Sequence, residues 1–209
     1  MEDVLAVYAR PYDSKRPVIC LDETRKELRS TPRGHLAGGA GIPERQDYEY
    51  ARHGTASLFL WVEPLAGRRK VSQAQRQTGQ EFAQVLGHLV EEAYPQAEKL
   101  VLVTDNLSTH KPDCLYQCFP PEQAFAIMQK IEWHYTPEHG SWLNIAECEL
   151  SVLARQCLHR RIADKDELQR QLNAWQNQRN SRHKSVDWQF TTLDARTKLK
   201  RLYTVFKEQ

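Results

Sequence analysis

KLVLVTDN, residues 99–106, is apolar at nearly every position until it ends in an acid. A strand with one wet face alternates; a continuous apolar run marks a strand covered on both faces, as in the parallel part of an α/β sheet. VICLDE at 18–23 has the same form. Between them, TASLFLWVEP at 55–64 reads as a strand stopped by Pro64. Leu65-Ala66-Gly67 turns the chain, and RRKVSQA at 68–74 pairs back on it. Residues 24–54 are rich in Gly, Pro and Arg and read as a long loop. From Gly79 to Ala93, the residues Phe82, Val85, Leu86, Leu89, Val90 and Ala93 recur at helical spacing. Thr78 and Glu81 form a capping-box pattern before this helix, and Pro95 ends it.

Beyond the 99–106 strand, a helix is expected over 112–130, interrupted by Pro120-Pro121, and IEWHYTP at 131–137 is a fifth strand. The rest is helical. Ser141 to about Arg160 carries Leu143, Ala146, Leu150, Leu153 and Cys157 as one stripe, and Asp164 to Arg179 buries Leu168, Leu172 and Trp175. Three strands followed by alternating helix and strand predict an α/β fold with a five-stranded sheet of mixed direction. Residues 1–17 read as a lead-in or linker, and 18–209 as the folded domain.

The 209 residues suffice for one domain with a proper core, and 40% hydrophobic with 27% charged residues is ordinary for a globular protein. No apolar run is long enough to cross a bilayer. The start, MEDVLAVYARPYDSKRP, lacks a secretory pattern, so a cytoplasmic location is expected. Five cysteines without a Cys-x-x-Cys pair argue for reduced thiols. His110, Cys114 and Cys118 recur every fourth residue, which reads as small buried residues on a helix face rather than as a zinc site. Net charge is only +2, but from Arg155 onward 13 basic residues stand against 6 acidic ones. A basic end beside an acidic body suits a partner with a phosphate backbone.

Asp22 and Asp105 end the two most apolar strands. In open α/β sheets reactive groups gather beyond the carboxyl ends of neighbouring strands. Each Asp taken singly also reads as a strand-ending residue that caps a turn; joint placement with a third acid favours chemistry. Two carboxylates brought together repel unless a proton or a cation intervenes, and Mg²⁺ suits all-oxygen ligands. The third acid is Glu147 or Glu149, which lie on different helix faces because each residue turns about 100°. Glu147 shares a polar strip with Asn144 and Ser151, and is preferred. Glu149 lines up with Ile145 and Leu153, its stem over apolar surface and its head toward water. Asn144, one turn before Glu147, is placed to position that carboxylate or a phosphate.

LDE, TDNLSTH and YTPEHGSWLNIAE, with DYEYARHGTASLF and VDWQFTTLDARTKLKRLY, resemble bacterial insertion-sequence transposases related to the mariner elements (insertion-sequence family six-thirty). The resemblance runs from about Val18 to Tyr203. It implies a ribonuclease-H-like fold and an Asp-Asp-Glu triad falling on Asp22, Asp105 and Glu147. It further implies metal-dependent cleavage and strand transfer of element ends by two Mg²⁺ ions, with Mn²⁺ as substitute. Double-stranded DNA, a TA target and a homodimer follow from the same resemblance, as does a bacterial, nucleoid-associated setting. Two departures stand out. The 41 residues between Asp105 and Glu147 exceed the usual mariner spacing, and the N-terminal helix-turn-helix modules of such enzymes are expected to be absent.

Around the triad, Asn106 and His110 lie within reach of the same edge and are supporting candidates, to orient bound water or a phosphate. His134 and His139 flank the turn before Glu147, where Gly140 and Ser141 would let backbone amides approach DNA. Trp142 is a candidate for stacking on a base, although tryptophans, Trp133 included, more often serve the core. Arg155, Arg160 and Arg161 continue the Glu147 helix and are candidate phosphate contacts, against the plainer reading of a solvated face. Two rival functions share the same residues: a nuclease of this fold that never joins ends, and a truncated product that inhibits full-length transposase. A cysteine hydrolase using Cys20 or Cys148 has no supporting pattern.

Overall fold

A computed structural model describes all residues except 33, 37, 38, 40, 42–44, 47 and 204–209, with backbone alone at 35, 36, 45, 46 and 202. Five strands form one sheet: β1 (Val18–Ser30), β2 (Ala51–Glu63), β3 (Arg68–Ala74), β4 (Leu100–Thr104) and β5 (Ile131–Tyr135). Their order is β3-β2-β1-β4-β5. The first three strands run antiparallel, while β4 lies parallel to β1 and β5 parallel to β4. The mixed five-stranded α/β sheet expected from the sequence is therefore present.

Alternation along the strands builds two cores. Cys20, Leu58, Leu60, Val62, Val101 and Val103 face one side. They are covered by α1 (Glu2–Tyr8), α5 (Ile145–Leu153), α6 (Lys165–Ser181) and the adjacent α7 (Thr192–Lys198). Ile19, Leu21, Phe59, Trp61, Leu100 and Leu102 face the other side. Their cover is α2 (Gly79–His88), α3 (Leu115–Cys118) and α4 (Pro121–Lys130). No described helix is long and apolar enough to cross a membrane.

The structure departs from the sequence reading in several places. Both β1 and β2 are 13 residues long and pair out to Ser30 opposite Ala51, so both ends of the expected 24–54 loop, residues 24–30 and 51–54, are hairpin. The outer half, TRKELRS, has only Leu28 buried, and polar pairs hold it: Glu27 binds Arg29 along the strand and Arg52 across it, and Ser30 Oγ lies 2.7 Å from His53 Nε2 on the facing strand. The register shifts between Glu27 and Arg29, opposite Gly54, whose φ of +85° only glycine adopts freely. A short antiparallel ribbon, His35–Leu36 with Arg45–Gln46, lies within the connection. At the other turn, Gly67 takes φ +66°, and a Cβ there would meet the His183 backbone at 2.7 Å.

Residues 2–8 are not a linker. They form α1, with Val4, Leu5 and Val7 inside the core; the apolar spacing of VLAV supplied that signal. Thr78 makes no side-chain bond to the helix backbone, its hydroxyl binding the Glu81 carboxylate instead. The stretch after Arg179 contains α7, started by a true capping box of Thr191 and Asp194 that the sequence reading missed. His110, Cys114 and Cys118 belong to three different short elements and share no helix face.

Candidate active site

The last paired residues of β1 and β4 are Cys20 and Val103. Two residues on, each chain presents an Asp: Asp22 within β1, and Asp105 just past the end of β4. Both are in step with the residues that face α5, and Asp105 and Glu147 are both near enough for their charges to act on Asp22. Asp22 is 8% exposed. Its Oδ1 accepts from the Glu23 amide at 2.8 Å and its Oδ2 from Asn144 Nδ2 at 3.3 Å. Burial first, then the charges of Glu23, Asp105 and Glu147, push the Asp22 carboxyl up to about 7, against the lowering effect of the Glu23 amide.

The entry to α5 brings in the third acid. A single-turn helix, Ser141–Leu143, leads to Asn144, which is the N-cap and not part of the helix. Its Oδ1 accepts from the Ala146 amide at 3.1 Å, while its Nδ2 donates to the Leu21 carbonyl at 3.0 Å as well as to Asp22. Asn144 therefore holds Asp22, where the sequence had it positioning the Glu147 carboxylate or a phosphate. Glu147 lies in the first turn of α5, half-buried, where the helix dipole favours an anion. Tyr8, in α1, braces the same turn: its hydroxyl donates to the Leu143 carbonyl at 2.7 Å and accepts from the Ile145 amide at 3.3 Å.

Glu149 has a different place from the one its helix face suggested. It is 2% exposed, and its head is buried with two guanidinium groups: Arg69 at 3.0 Å and Arg179 at 2.6 Å. Arg69 itself is buried in β3. This ion-pair network ties α5 to β3 and α6. The sequence separation of these arginines hid it.

His110 is buried beneath the Asp105 loop. Its Nδ1 bonds the Asp105 carboxylate and its Nε2 lies 3.0 Å from Glu23 Oε2. Burial opposes protonation of this ring, but the bonds to Asp105 and Glu23 outweigh it and hold its pKa up at about 9. Glu23 was not singled out from the sequence, although it sits beside Asp22. Asn106 is exposed and its side chain binds Lys111. His134 is buried between Asp3, at 2.7 Å, and Glu132, at 3.0 Å. His139 is exposed, with φ +58°.

Among the candidate DNA contacts, only Arg155 directly continues α5, in the wider π-type turn Ala154–Leu158; Arg160 and Arg161 lie past its end. Arg155 and Arg160 are exposed. Arg161 is engaged instead, donating to Thr31 Oγ1 at 3.0 Å and to the Glu49 carbonyl at 3.1 Å, so it pins the base of the β1–β2 connection. Arg160 shares a groove with Arg182 and Lys184 between that turn and α6. Trp142 is 40% exposed and packs edge-on against Phe190, 5.7 Å between ring centres.

Among the described residues no three His, Cys, Asp or Glu side chains close into a ready-made metal cage. The donor chemistry nevertheless fits a hard divalent cation. Asp22, Asp105 and Glu147 are all oxygen donors, and the Asp22 carboxyl, raised chiefly by burial, also feels the charges of Asp105 and Glu147. Mg²⁺ needs few protein carboxylates because it keeps several waters.

No curated protein matches the sequence. The Mos1 strand transfer complex has a similar structure, with TM-score 0.52 and 13% identity, covering 86% of this chain and 53% of that one. The catalytic domain of the Mos1 mariner transposase is also similar, at TM-score 0.44 and 11% identity, covering 86% and 80% respectively. This chain thus spans about half the length of the first of them, whose likeness supports the ribonuclease-H-like fold. The sequence matches the family described as DDE superfamily endonuclease over residues 17–169, which contain Asp22, Asp105 and Glu147. That match takes in most of the chain, and the protein belongs to the DDE superfamily endonuclease family.

Proposed function

We propose that this chain is the catalytic domain of a DNA transposase that cleaves and rejoins DNA with Asp22, Asp105 and Glu147. The observation that carries this reading is the common position of the two aspartates, each two residues beyond the Cys20–Val103 pair on the side faced by Glu147's helix. Bound Mg²⁺, two ions in the proposed form and replaceable by Mn²⁺, would polarise the scissile phosphate and activate the attacking oxygen. The chain's own contribution is to hold the carboxylates. Asn144 and the Glu23 amide fix Asp22, His110 fixes Asp105, and the first turn of α5 carries Glu147. Water is the first nucleophile and a DNA 3′-hydroxyl the second. Double-stranded DNA is the substrate, with a TA target and a dimer holding both ends as part of the same proposal.

The test is strand transfer from a pre-cut oligonucleotide bearing a 3′-hydroxyl, in Mg²⁺ and in Mn²⁺. Joined product from the wild type, lost in Asp22→Asn, Asp105→Asn and Glu147→Gln, is expected. Full activity in any of these variants removes that residue from the triad. Hydrolysis without joining would support a nuclease, and inhibition of a full-length transposase without reaction would support the inhibitor reading.

A further inference from the structure

Glu23 follows Asp22 in β1, so alternation turns it to the opposite face of the sheet, where Ile19 and Leu21 pack under α2–α4. It is therefore not oriented to share an ion with its neighbour. Its Oε2 is shut off from solvent and makes no aligned hydrogen bond; its contact is an ion pair with His110 Nε2 at 3.0 Å. The His110 ring is 1% exposed and stacks on Phe82 of α2, with ring centres 4.2 Å apart and planes 23° from parallel. The Tyr135 hydroxyl donates to the His110 carbonyl at 3.2 Å, which fixes the backbone beneath the ring. The other nitrogen, Nδ1, is bonded to Asp105 Oδ1. Both nitrogens are thus occupied and the ring is covered, so His110 does not present a donor to water or a phosphate, the role considered for it from sequence.

We propose that Glu23 and His110 form a positioning pair: Glu23 and Phe82 set the ring, and the ring sets the Asp105 carboxylate, leaving Oδ2 for the cation. This inference rests on the reading of Asp105 as a metal ligand. Asp105 needs such a support because it stands past the last residue of β4, where no ladder restrains it. Partners of metal ligands commonly change affinity by about 10–100-fold when removed.

Two substitutions separate this role from simple core packing. An Asn amide nitrogen lies near the place of Nδ1, and a Gln amide nitrogen near that of Nε2. His110→Asn keeps a donor for Asp105, whereas His110→Gln keeps the Glu23 contact and gives up the bond to Asp105. Mn²⁺ binding to the DNA-free protein is read from the electron paramagnetic resonance signal of the free ion, beside thermal midpoints. The expected result is a roughly 10–100-fold weaker Mn²⁺ affinity in His110→Gln, with His110→Asn within about threefold of wild type. Equal affinities in both variants and the wild type would overturn the positioning role. So would equal losses that merely follow the thermal midpoint. Absence of Mn²⁺ binding in the wild type would instead overturn the metal-dependent reading, and this inference with it.

Discussion

Asp22 and Asp105 stand the same two residues beyond the last paired position of adjacent parallel strands, Cys20 opposite Val103. Pairing between β1 and β4 ends there, while β1 continues as the long hairpin with β2. The edge where parallel strands part is the crevice in which α/β proteins collect reactive groups. Carboxylates gathered at such an edge raise the free energy of the metal-free fold, and that cost is measurable.

The first prediction concerns pH. An unfolded Asp gives up its proton near 3.8, whereas folded Asp22 keeps its proton up to about 7. Between these values the folded state binds more protons than the unfolded state, so the Asp22 contribution to stability falls as pH rises. Above about 7 the penalty is fully present, at most about 4 kcal/mol for a shift of this size. In chelator, Asp22→Asn should melt higher than wild type at pH 8, by up to roughly 10 °C, and the difference should shrink toward pH 4. Mg²⁺ should raise the wild-type midpoint at pH 8. Identical pH profiles for the two proteins would show that Asp22 carries no such burden.

Glu149 leads to a prediction of the opposite kind. Arg69 is fully buried, and Glu149 supplies the carboxylate it faces. Removing one partner of a buried ion pair costs about 3–5 kcal/mol because the other charge remains uncompensated. Glu149→Gln should therefore unfold at markedly lower denaturant, and Glu147→Gln should not. A Glu149→Gln protein as stable as wild type would show that the pair with Arg69 and Arg179 contributes little. The sequence alone had suggested a Glu149 head turned toward water, with no such partner.

Why the sequence suggested so is instructive. The two apolar runs and the acids that follow them were legible because burial on both faces leaves an unbroken run, as in LVLVT, although β1 continues past Asp22 to Ser30. The outer half of the β1–β2 hairpin was not, since its stability comes from pairs such as Glu27 with Arg52 that are 25 residues apart. Glu149 misled for the same reason: its partners come from β3 and α6. Asn144 stands out in the sequence, but its being an N-cap, not a helical residue, turns its amide to Asp22 and away from Glu147. Glu23 went unnoticed because its significance depends on a histidine 87 positions away.

The arginines should separate in DNA binding. Arg160, with Arg182 and Lys184, lines an exposed groove, whereas Arg161 is spent on Thr31 and the Glu49 carbonyl. If the groove carries DNA, each basic side chain that no longer meets a phosphate lowers the slope of log affinity against log salt by about 0.9. Arg160→Ala and Lys184→Ala should flatten that slope with unchanged thermal midpoints. Arg161→Ala should leave the slope alone and lower the midpoint by about 2–4 °C, equivalent to roughly 1 kcal/mol. The reverse pattern in fluorescence anisotropy would move the interface to the Arg161 side.

Tyr8 tests whether the amino-terminal helix belongs to the active site. Its hydroxyl is the link between α1 and the turn that launches α5, holding the Leu143 carbonyl and the Ile145 amide two residues before Glu147. Tyr8→Phe keeps the ring and its packing on Trp188 but leaves those two backbone groups without that partner. The stability cost should be about 1–3 kcal/mol. A turn relaxed by a fraction of an ångström also moves Glu147, and displacement of about 1 Å in a catalytic group can cost about 100-fold in rate. Tyr8→Phe should therefore lower kcat for strand transfer by about tenfold or more at a temperature where it remains folded, with little change in DNA affinity. A variant that loses stability but keeps the wild-type kcat would reduce α1 to a structural cover. One that loses kcat as expected would make residues 2–8 part of the machinery that sets the third carboxylate.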